Sequence, residues 1–102
     1  MKESPIIIAL DVECVEQARD LVDRIGDAAT FYKVGMELYA AAGMQFVDEL
    51  IGSGKQVFLD LKFFDIGETV KRAVAQVARR QIRFLTVHAS SQVMRAAAAG
   101  KA

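Results

Sequence analysis

Four short β-rich runs, separated by helical stripes, constrain the fold of this 102-residue chain more than any other feature. The runs are Ile6–Leu10, Phe31–Gly35, Gln56–Leu61 and Ile82–His88. The stripes lie within residues 15–25, 46–51, 70–78 and 91–99, where apolar side chains recur with the period of an amphipathic helix. This β-α-β-α-β-α-β-α order predicts an α/β protein with a parallel sheet.

The strand pleat favours a (β/α)8 TIM barrel over an open doubly wound sheet. Side chains alternate between the faces of a strand, so one face of each run is aliphatic and the other becomes polar toward the carboxyl end. Active sites of such barrels lie at that end, and no glycine-rich nucleotide-binding motif follows any run. A whole barrel needs eight strands and roughly 250 residues. Residues 1–102 are therefore predicted to form one domain with the first four β/α units, which a C-terminal half or a second copy would have to close.

Composition excludes several classes of function. Thirteen basic residues balance thirteen acidic ones without a basic stripe, so neither nucleic acid nor an anionic membrane surface is an expected partner. Ile6–Leu10, the longest wholly apolar run, is too short to span a bilayer, and the N-terminus has no signal-peptide core. The single cysteine, Cys14, excludes an intrachain disulfide and a cysteine-based zinc site. We expect a soluble cytoplasmic protein.

Charged side chains converge where the predicted strands end. The set comprises Asp11, Lys33, Asp60, Lys62 and Asp65. Opposite charges at close range favour ionised acids and protonated lysines, and such an array can act on a substrate. A structural salt-bridge network explains the cluster equally well, and Asp65 with Glu68 also fits a helix-capping box. His88 ends the fourth run, and a structural strand-end role is the favoured interpretation for it.

The segment Asp60–Thr69, DLKFFDIGET, resembles the D-x-K-x-x-D-I-x-x-T signature of the orotidine 5′-phosphate decarboxylase family. Ile8–Asp11 and Tyr32–Gly35 resemble the ends of that family's first two strands in order and spacing. The resemblance covers essentially the whole chain. Phe64 stands where many members carry His, and Gly67 where many carry Pro, but neither difference removes a charge.

The resemblance implies decarboxylation of orotidine 5′-monophosphate to uridine 5′-monophosphate in pyrimidine biosynthesis, with no metal or organic cofactor. Lys62 would protonate C6 of the pyrimidine, Asp60 would lie beside the departing carboxylate, and Lys33 would hold the network. The implied catalytic residues are Lys62, Asp60, Lys33 and Asp65. The implied substrate contacts are Asp11, Lys33, Asp60, Lys62, Asp65, Ile66 and Thr69. The family also implies a homodimer in which Asp65 and Thr69 reach into the partner's site.

Two other interpretations stay open. The phosphate site of such barrels usually follows strands 7 and 8, so the chain could be an inactive half-barrel fragment. A magnesium-dependent sugar-phosphate decarboxylase relative would carry a metal-binding acid at the end of the second strand. Lys33 occupies that position here, and an ammonium group cannot ligate a metal ion.

Overall fold

The computed structural model describes residues 6–63, 67–87 and 89–101, and within these ranges parallel strands alternate with α-helices. The strands are β1 (Ile8–Ala9), β2 (Phe31–Gly35), β3 (Gln56–Phe63) and β4 (Phe84–Val87). The helices are α1 (Val15–Ile25), α2 (Met36–Gly52), α3 (Gly67–Ala78) and α4 (Ser91–Lys101), and a short 3-10 helix (Gly26–Ala28) follows α1. The predicted α/β order is confirmed, and β2 has the predicted bounds.

Each strand pairs in parallel with the next one along the chain, giving the sheet order β1-β2-β3-β4. A barrel is built by this sequential order, whereas a doubly wound sheet reverses direction at a switch point. The face predicted to be aliphatic packs on the helices. From the sheet it contributes the buried residues Leu10, Tyr32, Val34, Val57, Leu59 and Leu61, and from the helices Ala18, Leu38, Phe46, Val47, Leu50 and Val77 join them.

The opposite face of the sheet carries an aromatic trio, Phe31, Phe58 and Phe84. The rings of Phe31 and Phe84 stack with centroids 5.8 Å apart, and Phe58 meets Phe84 edge to face at 5.9 Å. Two strands separated by a third lie about 10 Å apart in a flat sheet, so rings this close indicate a concave face. Phe84 is still 49% exposed, which agrees with the inner face of an open half-barrel.

Helix α2 differs from the sequence-based expectation, which rested on the stripe at residues 46–51. It begins ten residues earlier, at Met36, and its first segment buries Leu38. Gly43, with φ of 72°, interrupts the helical backbone between the two segments. Residues 36–42 contain four alanine or leucine residues but no clear stripe, so their periodicity could not reveal the helix. No helix within the described residues is long and apolar enough to cross a membrane.

Helices α3 and α4 approach each other closely at Gly100, which is buried. A β-carbon built at Gly100 would overlap the carbonyl oxygen of Lys71 and lie 3.0 Å from the β-carbon of Val74. Only a residue without a side chain fits between the two backbones. This contact holds α4 against α3, the helix that follows β3 in the order of elements.

Candidate active site

The structure brings three predicted charges together at the carboxyl ends of β2 and β3. Lys62 Nζ donates a hydrogen bond to Asp60 Oδ1 at 2.7 Å, and Lys33 Nζ lies 3.8 Å from Asp60 Oδ2. The Asp60 side chain is 17% exposed, that of Lys33 28% and that of Lys62 64%. Asp60 is therefore the sheltered centre of the array, with one lysine on each carboxylate oxygen.

A bulge in β3 shapes this array. Leu59 pairs with Leu85 and Phe63 pairs with Val87, so three residues of β3 stand opposite the single residue Thr86. The last of the three, Lys62, has φ of 51°, a left-handed conformation that residues with a β-carbon adopt at a cost. Bulges of this kind re-aim side chains near active sites. Here the bulge places Lys62 beside Asp60 at the rim of the sheet.

The hydrogen bonds around Asp60 keep its carboxyl group ionised. The donors Lys62 Nζ and the Thr86 hydroxyl lower the pKa of Asp60, and the charges of Lys62 and Lys33 act in the same direction. Partial burial raises the pKa of Asp60 and is a weaker influence than the two hydrogen bonds, so the pKa is lowered overall. A carboxylate that accepts hydrogen bonds beside ammonium groups is stabilised in its charged form. The array therefore carries one negative and two positive charges.

The remaining predicted site residues are distributed as follows. Asp11 is exposed, two residues beyond β1, and makes no ion pair with any residue that the structure describes. Its strand pairs Ala9 with Lys33, so Asp11 lies at the same carboxyl edge of the sheet as the array. Thr69 is exposed in the first turn of α3. Asp65, Ile66 and His88 lie outside the described residues.

Thr86 is a site residue that sequence reasoning did not single out. Its hydroxyl donates to Asp60 Oδ1 at 2.8 Å and accepts the backbone N–H of Lys62 at 2.9 Å. The pleat of the fourth run had already placed Thr86 on the polar face. The signal that could have identified Thr86 was its hydroxyl group, which lies on the same face of the sheet as Asp60 and near the carboxyl end of its strand.

The array can stabilise negative charge that develops next to it. Among the described residues that touch one another here, Lys33 and Lys62 carry two positive charges against the single negative charge of Asp60, and these contacts exist before any ligand binds. Because the Lys62 side chain is largely exposed, its ammonium group can contact a ligand in the mouth and exchange protons with water. Two lysines around Asp60, the acid they contact within the described residues, suit an anion better than a divalent cation. In the described part of the chain, no group of three acidic, histidine or cysteine side chains is arranged to hold a metal ion.

Comparison with known proteins places this geometry in a family. The family model described as "Orotidine 5'-phosphate decarboxylase / HUMPS family" matches residues 4–102. An orotidine 5′-phosphate decarboxylase of Nitrobacter winogradskyi is 53% identical over 96 residues, which are 94% of this chain and 40% of the relative. One from Bradyrhizobium sp. is 54% identical over 97 residues, with 95% of this chain and 40% of the relative covered.

A solved structure shows the same backbone. The crystal structure of orotidine 5′-phosphate decarboxylase from Lactobacillus acidophilus matches with a TM-score of 0.86 at 40% identity. The match covers 96% of this chain and 45% of that one. The chain thus spans about 40% of the length of the curated relatives it matches, and it corresponds to part of their barrel.

Proposed function

Because the chain belongs to the orotidine 5′-phosphate decarboxylase / HUMPS family, we propose that it supplies the lysine–carboxylate array of an orotidine 5′-monophosphate decarboxylase. The product would be uridine 5′-monophosphate, an intermediate of pyrimidine nucleotide synthesis. The observation that carries the proposal is the contact of Lys33, Asp60 and Lys62 at the carboxyl edge of the sheet. A cytoplasmic location stays a prediction.

The reaction needs a positively charged group beside C6 of the pyrimidine ring. When the bond between C6 and the carboxylate breaks, its electron pair stays on C6, and the pyrimidine ring offers no orbital that delocalises it. An ammonium group held beside C6 stabilises this pair as it forms. The same group then donates a proton to C6, and a proton from water restores its charge. Lys62 has the exposure and the position at the rim for both steps.

Asp60 would act on the other side of the breaking bond. Its carboxylate would lie beside the substrate carboxylate, and the repulsion between these like charges would end when neutral carbon dioxide leaves. Asp60 is suited to this role because its hydrogen bonds and the neighbouring lysines favour its ionised form, which is the form that repels a carboxylate. Lys33, on the second carboxylate oxygen, would keep Asp60 oriented and bind a ribose hydroxyl. Asp11, at the same edge, would also bind ribose.

The proposal includes a homodimer. Asp65, Ile66 and Thr69 complete the motif, and in the proposed dimer Asp65 and Thr69 would reach into the partner's site. Thr69 is exposed in the first turn of α3, where a partner could be reached. Asp65 would therefore add an acid to the array of the partner, so that lysines and acids would alternate around the substrate in each of the two sites.

The magnesium-dependent alternative is disfavoured by Lys33. Its ammonium group lies 3.8 Å from Asp60 Oδ2, so this carboxylate oxygen already faces a positive charge. A cation bound there would be repelled by two ammonium groups. The inactive-fragment alternative rests on binding of the substrate's phosphate group. The phosphate site of such barrels usually lies after strands 7 and 8, and this chain contributes the first four β/α units.

The test is a chimera in which this chain replaces the matching 96-residue stretch of the Nitrobacter winogradskyi relative. Decarboxylation of orotidine 5′-monophosphate is followed by absorbance, and binding of uridine 5′-monophosphate reports that the barrel has formed. We expect turnover from this barrel chimera. A chimera that binds the product but does not decarboxylate would contradict the proposal.

The 102-residue chain is assayed in parallel, with its mass in solution measured. Turnover from the isolated chain would require that self-association supplies the second half of the barrel. A particle of one chain without turnover would favour an inert fragment when the phosphate-binding half is missing.

A further inference from the structure

The hydroxyl of Thr86, on β4, lies opposite the β3 bulge and contacts both the backbone N–H of Lys62 and the carboxylate of Asp60. We infer that Thr86 is a positioning residue, which holds the Lys62 backbone in its left-handed conformation and orients Asp60 through one shared hydroxyl. For its effect on turnover this inference rests on the proposed function. Its structural part can be measured without any reaction.

The hydrogen bonds support a double role for this hydroxyl. A hydroxyl group has one donor and two acceptor positions, so it can accept from Lys62 N at 2.9 Å and donate to Asp60 Oδ1 at 2.8 Å simultaneously. The same Asp60 oxygen accepts from Lys62 Nζ at 2.7 Å. The three bonds connect the backbone and the side chain of Lys62 to a common anchor on β4.

The bulge explains why a side chain is needed at this point. In a regular strand the N–H of Lys62 would bond to the carbonyl group of a neighbouring strand. Three residues opposite one interrupt that ladder, so this N–H needs another acceptor. Thr86 provides it with a side-chain oxygen. Without the hydroxyl, the left-handed conformation of Lys62 would lose the bond that compensates for its strain.

Threonine suits this position for a steric reason. Its two heavy atoms on the β-carbon restrict χ1, so the hydroxyl is held in one direction more firmly than that of serine. Valine has nearly the same shape but can neither accept from Lys62 N nor donate to Asp60. Thr86→Val therefore removes two hydrogen bonds with little change in packing, and Thr86→Ser keeps both groups.

The first measurements use the 102-residue chain and NMR. In Thr86→Val we expect the Lys62 amide to exchange with solvent about tenfold faster, since one bond that protects it is lost. We also expect the pKa of Asp60 to rise toward its ordinary value, because one of its hydrogen-bond donors is gone. In Thr86→Ser, which keeps the hydroxyl group, the Lys62 exchange rate and the Asp60 pKa should stay near those of the unsubstituted chain. Thr30→Val is the matched control and should change neither value, because Thr30 lies one residue before β2, at the end of that strand away from the array.

Turnover is then measured in the barrel chimera. Thr86→Val should lower kcat by about tenfold or more with a smaller change in KM, because proton transfer depends on the exact position of the Lys62 ammonium group, whereas many other contacts share in binding the substrate. If Val at position 86 prevents folding, Thr86→Ala removes the same two bonds with less bulk. Unchanged Lys62 exchange and an unchanged Asp60 titration in either variant would overturn the positioning role.

Altered NMR values with an unchanged kcat would overturn its relevance to the reaction. If the chimera without a substitution at Thr86 is inactive, the result counts against the proposed function. The NMR measurements on the 102-residue chain still test whether Thr86 holds Lys62 and Asp60. The two failures are therefore distinguishable.

Discussion

Replacing Lys62 by glycine should leave the chain more stable than replacing it by alanine. Lys62 has φ of 51°, where a β-carbon costs roughly 1–2 kcal/mol relative to the right-handed region. Glycine avoids this cost but loses more backbone entropy on folding, by roughly 0.5–1 kcal/mol. Both variants lose the same ammonium group and its bond to Asp60. The difference between them therefore isolates the backbone, and we expect glycine to be favoured by about 0.5–1 kcal/mol.

The same pair of substitutions at Lys71 is the matched control. Lys71 lies inside α3, so its backbone is in the right-handed helical conformation. Its side chain is exposed, so removing it disturbs little packing. There glycine should be less stable than alanine by about 1 kcal/mol. The sign of the difference thus reverses between the two lysines.

Urea unfolding followed by circular dichroism measures both pairs. A shift in midpoint at constant slope reports a change in the free energy of unfolding. If alanine at position 62 proved as stable as glycine or more stable, the left-handed conformation and the bulge argument built on it would be refuted.

Two further substitutions test the packing below the site and the charge of its central acid. Gly100→Ala should destabilise the chain by about 1–2 kcal/mol in the same urea assay, because overpacking against the Lys71 carbonyl outweighs the helix propensity gained. Gly52→Ala, where nothing lies within 4 Å, is its control, and equal effects would contradict close α3–α4 packing. The lowered pKa of Asp60 adds stability above its ordinary unfolded-state pKa, and this contribution is lost as pH falls through the lowered folded-state value. Asp60→Asn should therefore reduce the slope of the free energy of unfolding against pH in the acid range, by an amount that corresponds to at most one bound proton. An unchanged slope would show that Asp60 is not coupled to the array.

Much of the fold follows from local patterns. The alternation of side chains along Phe31–Gly35 and Gln56–Leu61 predicts which face packs on the helices, and Tyr32, Val34 and Leu59 are buried as that pattern requires. The two-residue spacing of Asp60 and Lys62 on one strand likewise predicts that their side chains are neighbours. In the structure the contact is made through the bulge and the left-handed backbone of Lys62 rather than through regular alternation.

Other features depend on tertiary context. No local preference marks Lys62 for a left-handed conformation, since lysine has no side chain that stabilises it. The bulge arises from the register between β3 and β4, which a single sequence does not display. For the same reason Thr86 acquires its role only when β4 is placed beside β3. The first segment of α2 was missed because its apolar residues form no stripe, and Gly43 separates it from the segment that does.

The central claim is that the ammonium group of Lys62 protonates C6. It is tested most directly by Lys62→Ala in the barrel chimera, with kcat and the affinity for uridine 5′-monophosphate measured side by side. Lys71→Ala, which removes an exposed lysine from α3, is the control. The account predicts that Lys62→Ala lowers kcat by several orders of magnitude with a modest change in product affinity, while Lys71→Ala changes neither. Turnover that survives Lys62→Ala unchanged would contradict it.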